Sequence, residues 1–310
     1  MFELIKPHTN VDFFRLRSWA FGLSGLLIVI GMAALLLRGG PNYGIDFEGG
    51  IMLHVGVDPG VGIAEMRSAV DHLGLAEGGA SVQEFGNQAG EYLLRVASAD
   101  EKLAGGQAET IKKALAEHFA AKDFRELRTE IVGPRVGREL RQRAVLSVLF
   151  STIMMGIYIA FRFDLRFGIG AAVALLHDVL ITVGALAIVN MEVDLTIVAA
   201  LLTIVGYSVN DTVIVSDRIR ENVHHYQREG LRTLINRSIN ETLSRTILTS
   251  TTALLVCLSL FFFGGGVIHG FAFSLIVGIV TGTYSSIFIA SPIVEMWKGG
   301  AALGVEPAKA

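Results

Sequence analysis

The chain has 310 residues, of which 52% are hydrophobic and only 18% charged, and 26 Lys+Arg against 29 Asp+Glu leave a net charge of −3. Mean hydropathy is +0.54, which belongs to a membrane protein rather than to an ordinary soluble domain. The near-neutral balance excludes bulk nucleic-acid binding, and the single cysteine, Cys257, excludes an intrachain disulfide framework or a thiolate metal cluster.

Residues 1–17 contain Lys6, Arg15 and Arg17 and precede a first apolar run over 18–37. A signal peptide also begins with basic residues, but this run exceeds an h-region, and no small-x-small cleavage site comes before Arg38-Gly39-Gly40-Pro41. Further runs at 144–161, 167–189, 193–215, 247–263 and 271–294 complete six predicted spans. Each approaches the ~20 residues that a helix rising ~1.5 Å per residue needs to cross ~30 Å of hydrocarbon. The basic residues divide the connections into two sets. Arg162 and Arg166 fill the turn after the second span, and Arg218, Arg220, Arg228, Arg232 and Arg237 follow the fourth; Asn190–Asp194 and Gly264–Gly270 contain neither Lys nor Arg. The basic set is predicted cytoplasmic, with both termini. Arg138, Arg141 and Arg143 oppose this trend, but they end a segment of about 100 residues, and long translocated domains largely escape the rule.

That segment, 38–143, is the one stretch long enough to be a domain outside the membrane. Alternation and helical periodicity predict strand 51–57, helix 61–73, strands 81–86 and 91–97, helix 100–121 and strand 124–132, with a hairpin turn at 86–90. This β-α-β-β-α-β order suggests a ferredoxin-like α+β unit. His118 shares a helical face with Ile111, Leu115 and Phe119, and it is read as packed against them rather than as a ligand.

Leu231, Leu234, Ile235, Ile239 and Leu243 recur at helical spacing, so 228–245 is predicted either to lie along the inner membrane surface or to form an ordinary connector. No G-x-x-x-x-G-K-[ST], no G-x-G-x-x-G opening a helix after a strand, and no His/Cys/Glu set with metal-ligand spacing occurs. No cofactor or metal is expected, and any work must draw on a partner or on an ion gradient.

The intramembrane polar residues are therefore the candidate site. An aspartate at membrane depth costs roughly 2.5–3.5 kcal/mol on insertion scales, so it faces a partner, a cavity or an ion path. Asp211 is such a residue, beside Asn210 near the end of the fourth span. At about 100° per residue, Ala199, Ala200, Thr203, Gly206, Tyr207, Asn210 and Asp211 fall within an arc of about 140°, one small and polar face. Arg245 opens the fifth span, followed by Thr246, Thr249 and Ser250, at a depth where it either pairs with Asp211 or snorkels to the interface. Asp211 itself is either a proton-carrying group or a packing residue. His177-Asp178, halfway along the third span, is a secondary polar position with Tyr207 and Thr249, and packing is an equal reading there.

Taken together these motifs resemble the SecF branch of the bacterial SecD/SecF protein-export family, within the RND (resistance–nodulation–division) superfamily. The resemblance covers nearly the whole chain. It rests on Gly44-Ile45-Asp46-Phe47-Glu48-Gly49-Gly50, Ile131–Gly137, Leu176–Val179, Val205-Gly206-Tyr207-Ser208-Val209-Asn210-Asp211-Thr212 leading to Asp217-Arg218-Ile219-Arg220-Glu221-Asn222, and Asn240–Thr246. Ile51, where many relatives have threonine, and Ser216, where an aromatic is common, depart from the pattern.

The resemblance implies a polytopic α-helical membrane protein with six transmembrane helices, half of an RND-type core, and a ferredoxin-like periplasmic domain between the first two helices. Its divisions would be 1–17, 18–37, 38–143, 144–294 with a cytoplasmic loop at 216–246, and a cytoplasmic tail at 295–310. It further implies an inner-membrane subunit without enzymatic activity that uses the proton-motive force, with a SecD-like partner, to promote preprotein translocation beside the SecYEG translocon and subunits such as YajC or YidC. In this family Asp211, Arg245 and Asn210 would carry proton transport. The rival readings are a non-conducting scaffold and half of a small-molecule exporter, the latter disfavoured by the modest size of the outer domain.

Overall fold

A computed structural model of the chain describes residues 10–73, 80–85, 90–96, 101–226 and 229–297. Six helices among the described residues are long and apolar enough to cross a membrane: Phe13–Leu37, Pro134–Arg162, Leu165–Val189, Leu195–His225, Leu231–Phe263 and Ile268–Met296. The first begins as a 3₁₀ turn, Phe13–Leu16, started by Asp12, whose carboxylate accepts from Arg15 N at 3.1 Å, and continues as α1 (Arg17–Leu37). The others are α5 (Pro134–Arg162), α6 (Leu165–Val189), α7 (Leu195–His225), α8 (Leu231–Phe263), and α9 (Gly265–Ser285), which runs through a π-helical stretch, Ser286–Ala290, into α10 (Ser291–Met296).

Burial sorts these helices into layers. α6, α7 and α9 lie inside, while α1, α5 and α8 present large apolar side chains outward, such as Val29, Phe150 and Phe262. Close approach depends on small residues, as expected where lipid supplies no hydrophobic drive between helices. A Cβ on Gly31 of α1 would lie 2.6 Å from Gly184 Cα of α6, and one on Gly168 of α6 would lie 2.5 Å from Ala160 Cβ of α5.

Between α1 and α5 lies a mixed domain. Its elements are β1 (Asn42–Tyr43), α2 (Ile45–Glu48), β2 (Gly50–Gly56), α3 (Ile63–His72), β3 (Ser81–Glu84), β4 (Glu91–Val96), α4 (Glu101–His118) and β5 (Arg125–Val132). The four longer strands form an antiparallel sheet in the order β3-β4-β2-β5. Alternation along β2 turns Ile51, Leu53 and Val55 toward α3 and α4, where they are buried with Met66, Leu115 and Phe119. The predicted hairpin residues 86–89 lie outside the described residues. His118 is not packed as expected: it sits exposed at the end of α4, its ring edge-on to Phe119 at 4.8 Å.

Two further features complete the fold, and the first decides between the sequence expectations for 228–245. The amphipathic stretch before the fifth span is no separate surface helix; from Leu231 it belongs to one continuous helix ending at Phe263. Leu234, Ile235 and Ile239 are buried against the extension of α7, through Ile219 and Val223, so protein rather than membrane takes the apolar face. Near them, Asn236 and Asn240, one turn apart on α8, grip the chain before α1: they accept from Phe13 N (3.0 Å) and Val11 N (2.8 Å) and donate to Val11 O (both 2.9 Å).

The second feature is a joint between the sheet domain and the helices. β1 pairs in parallel with β6 (Glu192–Val193) in the α6–α7 connection, and α2 wedges against the start of α5. Asp46 accepts from Leu195 N at 3.1 Å, adding to the Asp194 cap of α7, which accepts from Ile197 N at 3.0 Å. Arg95 of β4 forms an ion pair with Glu192. Burial lowers the pKa of Arg95, opposed by the nearby carboxylates of Asp194 and Asp46. Glycine is required here by contact: a Cβ on Gly49 (φ +83°) would lie 2.7 Å from Pro134 Cα, and one on Gly137 2.9 Å from Phe47 O. The Gly44–Gly50 motif is thus the seam of this joint. Beside it, a cleft of about 530 Å³ opens between the uncovered sheet face (Met52, His54, Arg95) and the helix ends (Asp194, His269).

Candidate functional site

Asp211 lies inside the helix bundle with no solvent exposure. It is carried inward because α7 also turns Ala200, Ile204, Ser208 and Val215 toward α6, α8 and α9. Its Oδ2 accepts from Ser250 Oγ of α8 at 3.3 Å, and Ser250 accepts in turn from Thr283 Oγ1 of α9 at 2.7 Å. Asp211 Oδ1 has no hydrogen-bond partner among the described residues. The Thr246 hydroxyl and the Tyr207 hydroxyl, which lies beside Ser250, are likewise buried without a hydrogen bond of good geometry. A carboxyl with one free oxygen, ringed by alcohols and lacking a contacting cation, has the chemistry of a proton acceptor.

The remaining predicted residues are distributed around it. Arg245 does not meet Asp211: its side chain is exposed and makes no ion pair among the described residues. It lines an open pocket of about 440 Å³ with Arg162, Asp217, Arg218 and Glu241. Asn210 and Gly206 are exposed on the outward side of α7, and a Cβ on Gly206 would meet nothing within 4 Å. The small, polar arc is therefore divided: Ala200 and Asp211 point inward, while Ala199, Thr203, Gly206 and Asn210 form an outward stripe. Thr249 bonds back to the carbonyls of Arg245 (3.1 Å) and Thr246 (3.0 Å). Beyond the apolar part of α7, Arg218 donates to Glu221 and Glu241 (both 2.6 Å), and Asn222 donates to Ser238 (2.9 Å) and Glu241 (2.8 Å), fastening α7 to α8. Asp217 and Arg220 are exposed.

His177 and Asp178 stand at the centre of a second buried cluster. His177 Nδ1 lies 2.9 Å from Asp178 Oδ1, and Asp178 Oδ2 accepts from Ser208 Oγ (2.6 Å) and Ser285 Oγ (2.8 Å). His177 Nε2 lies 2.9 Å from Ser24 Oγ, which donates to Tyr284 Oη at 3.1 Å; Tyr284 donates to Ala20 O at 2.6 Å. Four helices thus meet on one His–Asp pair. Ser24, Thr283, Tyr284 and Ser285 were not singled out from sequence, and Ser208 and Ser250 were named only within longer motifs, with no partner assigned. Their only signal there was a hydroxyl in an apolar run, and hydroxyls in membrane helices commonly bond to their own carbonyls.

Among the described residues, no group of three or more His, Cys, Asp or Glu side chains is placed to hold a metal ion.

Six membrane-length helices, a sheet domain inserted after the first, and buried carboxylates within the bundle define a polytopic helical membrane protein of the transport class. The family model for the protein export membrane protein SecD/SecF, C-terminal region, matches residues 111–300. The protein translocase subunit SecF of Calditerrivibrio nitroreducens is 44% identical over 298 residues, spanning 96% of this chain and 97% of the relative. That of Desulfurispirillum indicum is 41% identical over 293 residues, 93% and 92% of the two chains. The crystal structure of SecDF, a translocon-associated membrane protein from Thermus thermophilus, superposes with a TM-score of 0.81 at 36% identity. That alignment covers 94% of this chain but 39% of the SecDF chain, so the present chain corresponds to about two fifths of that protein. The chain belongs to the SecD/SecF protein-export family, in its SecF branch.

Proposed function

We propose that this chain is the SecF-type half of a proton-driven protein-export unit, using the proton-motive force with a SecD-like partner to promote preprotein translocation across the inner membrane. The observation that carries the reading is Asp211, fully buried in the helix bundle, with one carboxyl oxygen lacking a partner among the described residues. Proton entry from the periplasmic side would neutralise Asp211, change its bond to Ser250, and repack α7 against α8 and α9. The joint at Asp46, Glu192 and Arg95 would pass that movement from the N-terminus of α7 to the sheet domain. Each proton moving down ~100 mV supplies ~2.3 kcal/mol, enough to bias a domain between two positions.

The partner is argued from what lipid does not accept. Asn210 and Thr203 on α7 and Arg245 on α8 are exposed, and within a bilayer such polar groups would face protein or water. A second six-helix half, related to this one as in RND-type cores, would cover them, and the unmatched three fifths of the SecDF chain has the length for such a half. Arg245 would then serve the proton path across the inter-half face rather than by pairing with Asp211 inside this chain. The strand order β3-β4-β2-β5 in a β-α-β-β-α-β chain supports a ferredoxin-like unit. The distribution of Lys and Arg supports a periplasmic position for it and cytoplasmic termini. The SecYEG translocon, with YajC or YidC, is the assembly this unit would serve.

Proton flux into vesicles containing the chain and its partner tests the reading, with wild type compared to Asp211→Asn at equal assembly. Loss of flux places Asp211 on the proton path; undiminished flux makes it a packing residue and the chain a scaffold.

A further inference from the structure

We propose that the His177–Asp178 pair is a second proton-binding site, coupled to Asp211 through one turn of α9, Thr283-Tyr284-Ser285. This rests on the reading of Asp211 as a proton-bearing carboxyl.

The hydrogen-bond directions count the protons. Tyr284 spends its hydroxyl proton on Ala20 O, so Ser24 must donate to Tyr284, and His177 Nε2 must donate to Ser24. Both serine bonds to Asp178 fall on Oδ2. One proton then remains to be placed, between His177 Nδ1 and Asp178 Oδ1, 2.9 Å apart. Whether it resides on nitrogen or oxygen, the pair is neutral overall. Its release leaves two lone pairs facing each other and a net negative charge where no solvent reaches. Among the described residues the groups facing the pair are Ser24 from α1, Thr182 from α6, Ser208 from α7, and Tyr284 and Ser285 from α9. Of these only Tyr284 titrates. Asp211, one turn beyond Ser208 on α7, is the nearest carboxyl along that helix, and no Lys or Arg among the described residues forms an ion pair with Asp178.

Consecutive residues of α9 touch both sites. Thr283 donates to Ser250, which donates to Asp211, while Tyr284 receives from Ser24 and Ser285 donates to Asp178. A proton on Asp211 turns an acceptor into a donor and changes what Ser250 is offered. Thr283 then falls back on its second acceptor, Ile279 O at 2.8 Å, and the turn carrying Tyr284 and Ser285 shifts with it. The π-helical stretch at Ser286 begins immediately after, where departure from the α-helical ladder gives the backbone an alternative bonding pattern. Two sites that bias one element are coupled, and the coupling is reciprocal.

The experiment uses the full chain in lipid nanodiscs, labelled with ¹⁵N-histidine and titrated from about pH 5 to 9. The His177 ring-nitrogen signals are identified by their loss in His177→Gln. They are expected to pass between two states, with a midpoint displaced ~5-fold or more in proton concentration by Asp211→Asn. The displacement should fall below about half in a Thr283→Val/Ser285→Ala background and survive in Thr283→Ser/Ser285→Thr, which keeps both hydroxyls. Signals fixed in one state across the range would make the pair a static clamp and overturn the proposal. So would a midpoint unmoved by Asp211→Asn, or a displacement indifferent to the α9 hydroxyls. Ring-nitrogen signals report proton occupancy, so a flux result at Asp211 bears on the proposed function and these signals on the coupling.

Discussion

Gly49→Ala probes the joint through which the proposed mechanism would transmit movement. Gly49 closes α2 at φ +83° and ψ 160°, a region that side chains disfavour by about 1–3 kcal/mol. The added methyl would also meet Pro134 Cα at 2.7 Å and Pro134 N at 2.8 Å, backbone atoms that cannot rotate away. Forcing such an overlap costs a further ~1–3 kcal/mol, so the variant is expected to weaken the seam by about 2–6 kcal/mol in all. Amide hydrogen exchange at residues 45–50 and in the first turns of α5 reads this directly, since each ~1.4 kcal/mol is tenfold in opening. Exchange there should quicken about 30-fold or more. Gly105→Ala is the matched control: in the second turn of α4, with nothing within 4 Å of the added methyl, it should stabilise its helix by ~0.5–1 kcal/mol. Exchange at the seam unchanged within about threefold in Gly49→Ala would refute the contact as the reason for the glycine.

Other consequences are open to simpler assays. Gly31→Ala would push a methyl to 2.6 Å from Gly184 Cα and part α1 from α6 at a cost of ~1–3 kcal/mol; reduced disulfide cross-linking between cysteines placed on the two helices would register it. Leu115→Ala empties a fully buried position of the sheet domain and should lower its stability by ~2–5 kcal/mol, measured by denaturant-dependent proteolysis. Glu126 has a lowered pKa, chiefly through the Thr129 hydroxyl at 2.5 Å and then through Lys112. A lowered carboxylate pKa contributes stability that is present above the unfolded value and lost as pH falls through the folded one. Glu126→Gln should therefore be slightly less stable than wild type at about pH 7, with the difference closing as the pH falls through the folded value, a small effect at an exposed pair.

What the sequence made legible follows from where a single signal dominates. Apolar runs of membrane length are unmistakable, and all six emerge as helices. Alternation in Leu53, Val55 and Val57 pointed to a strand over 51–57, observed as β2 (Gly50–Gly56), because one face of the sheet is buried under helices. β1 and β6 were illegible: two residues each, from segments about 150 apart, pair only once the domain and bundle are assembled. The continuity of α8 was hidden because Leu234, Ile235 and Ile239 show the same periodicity on a membrane surface as against α7. Asp211 was found by its cost in an apolar run. Its link to Ser250 was not, nor was Thr283, since a hydroxyl in such a run carries little cost and no address. Arg245 and Asp211 were matched by depth along their helices, but rotation about the helix axis sends Arg245 outward, and depth alone does not encode rotation.

The central claim is that Asp211 couples proton movement to export. The measurement that tests it most directly is the rate at which a partly translocated preprotein completes its passage, in vesicles containing this chain and its SecD-like partner, with and without an imposed proton gradient. The account predicts that the gradient speeds completion in wild type and has no effect in Asp211→Asn assembled to the same level. An Asp211→Asn unit that still responds to the gradient as wild type does would contradict it.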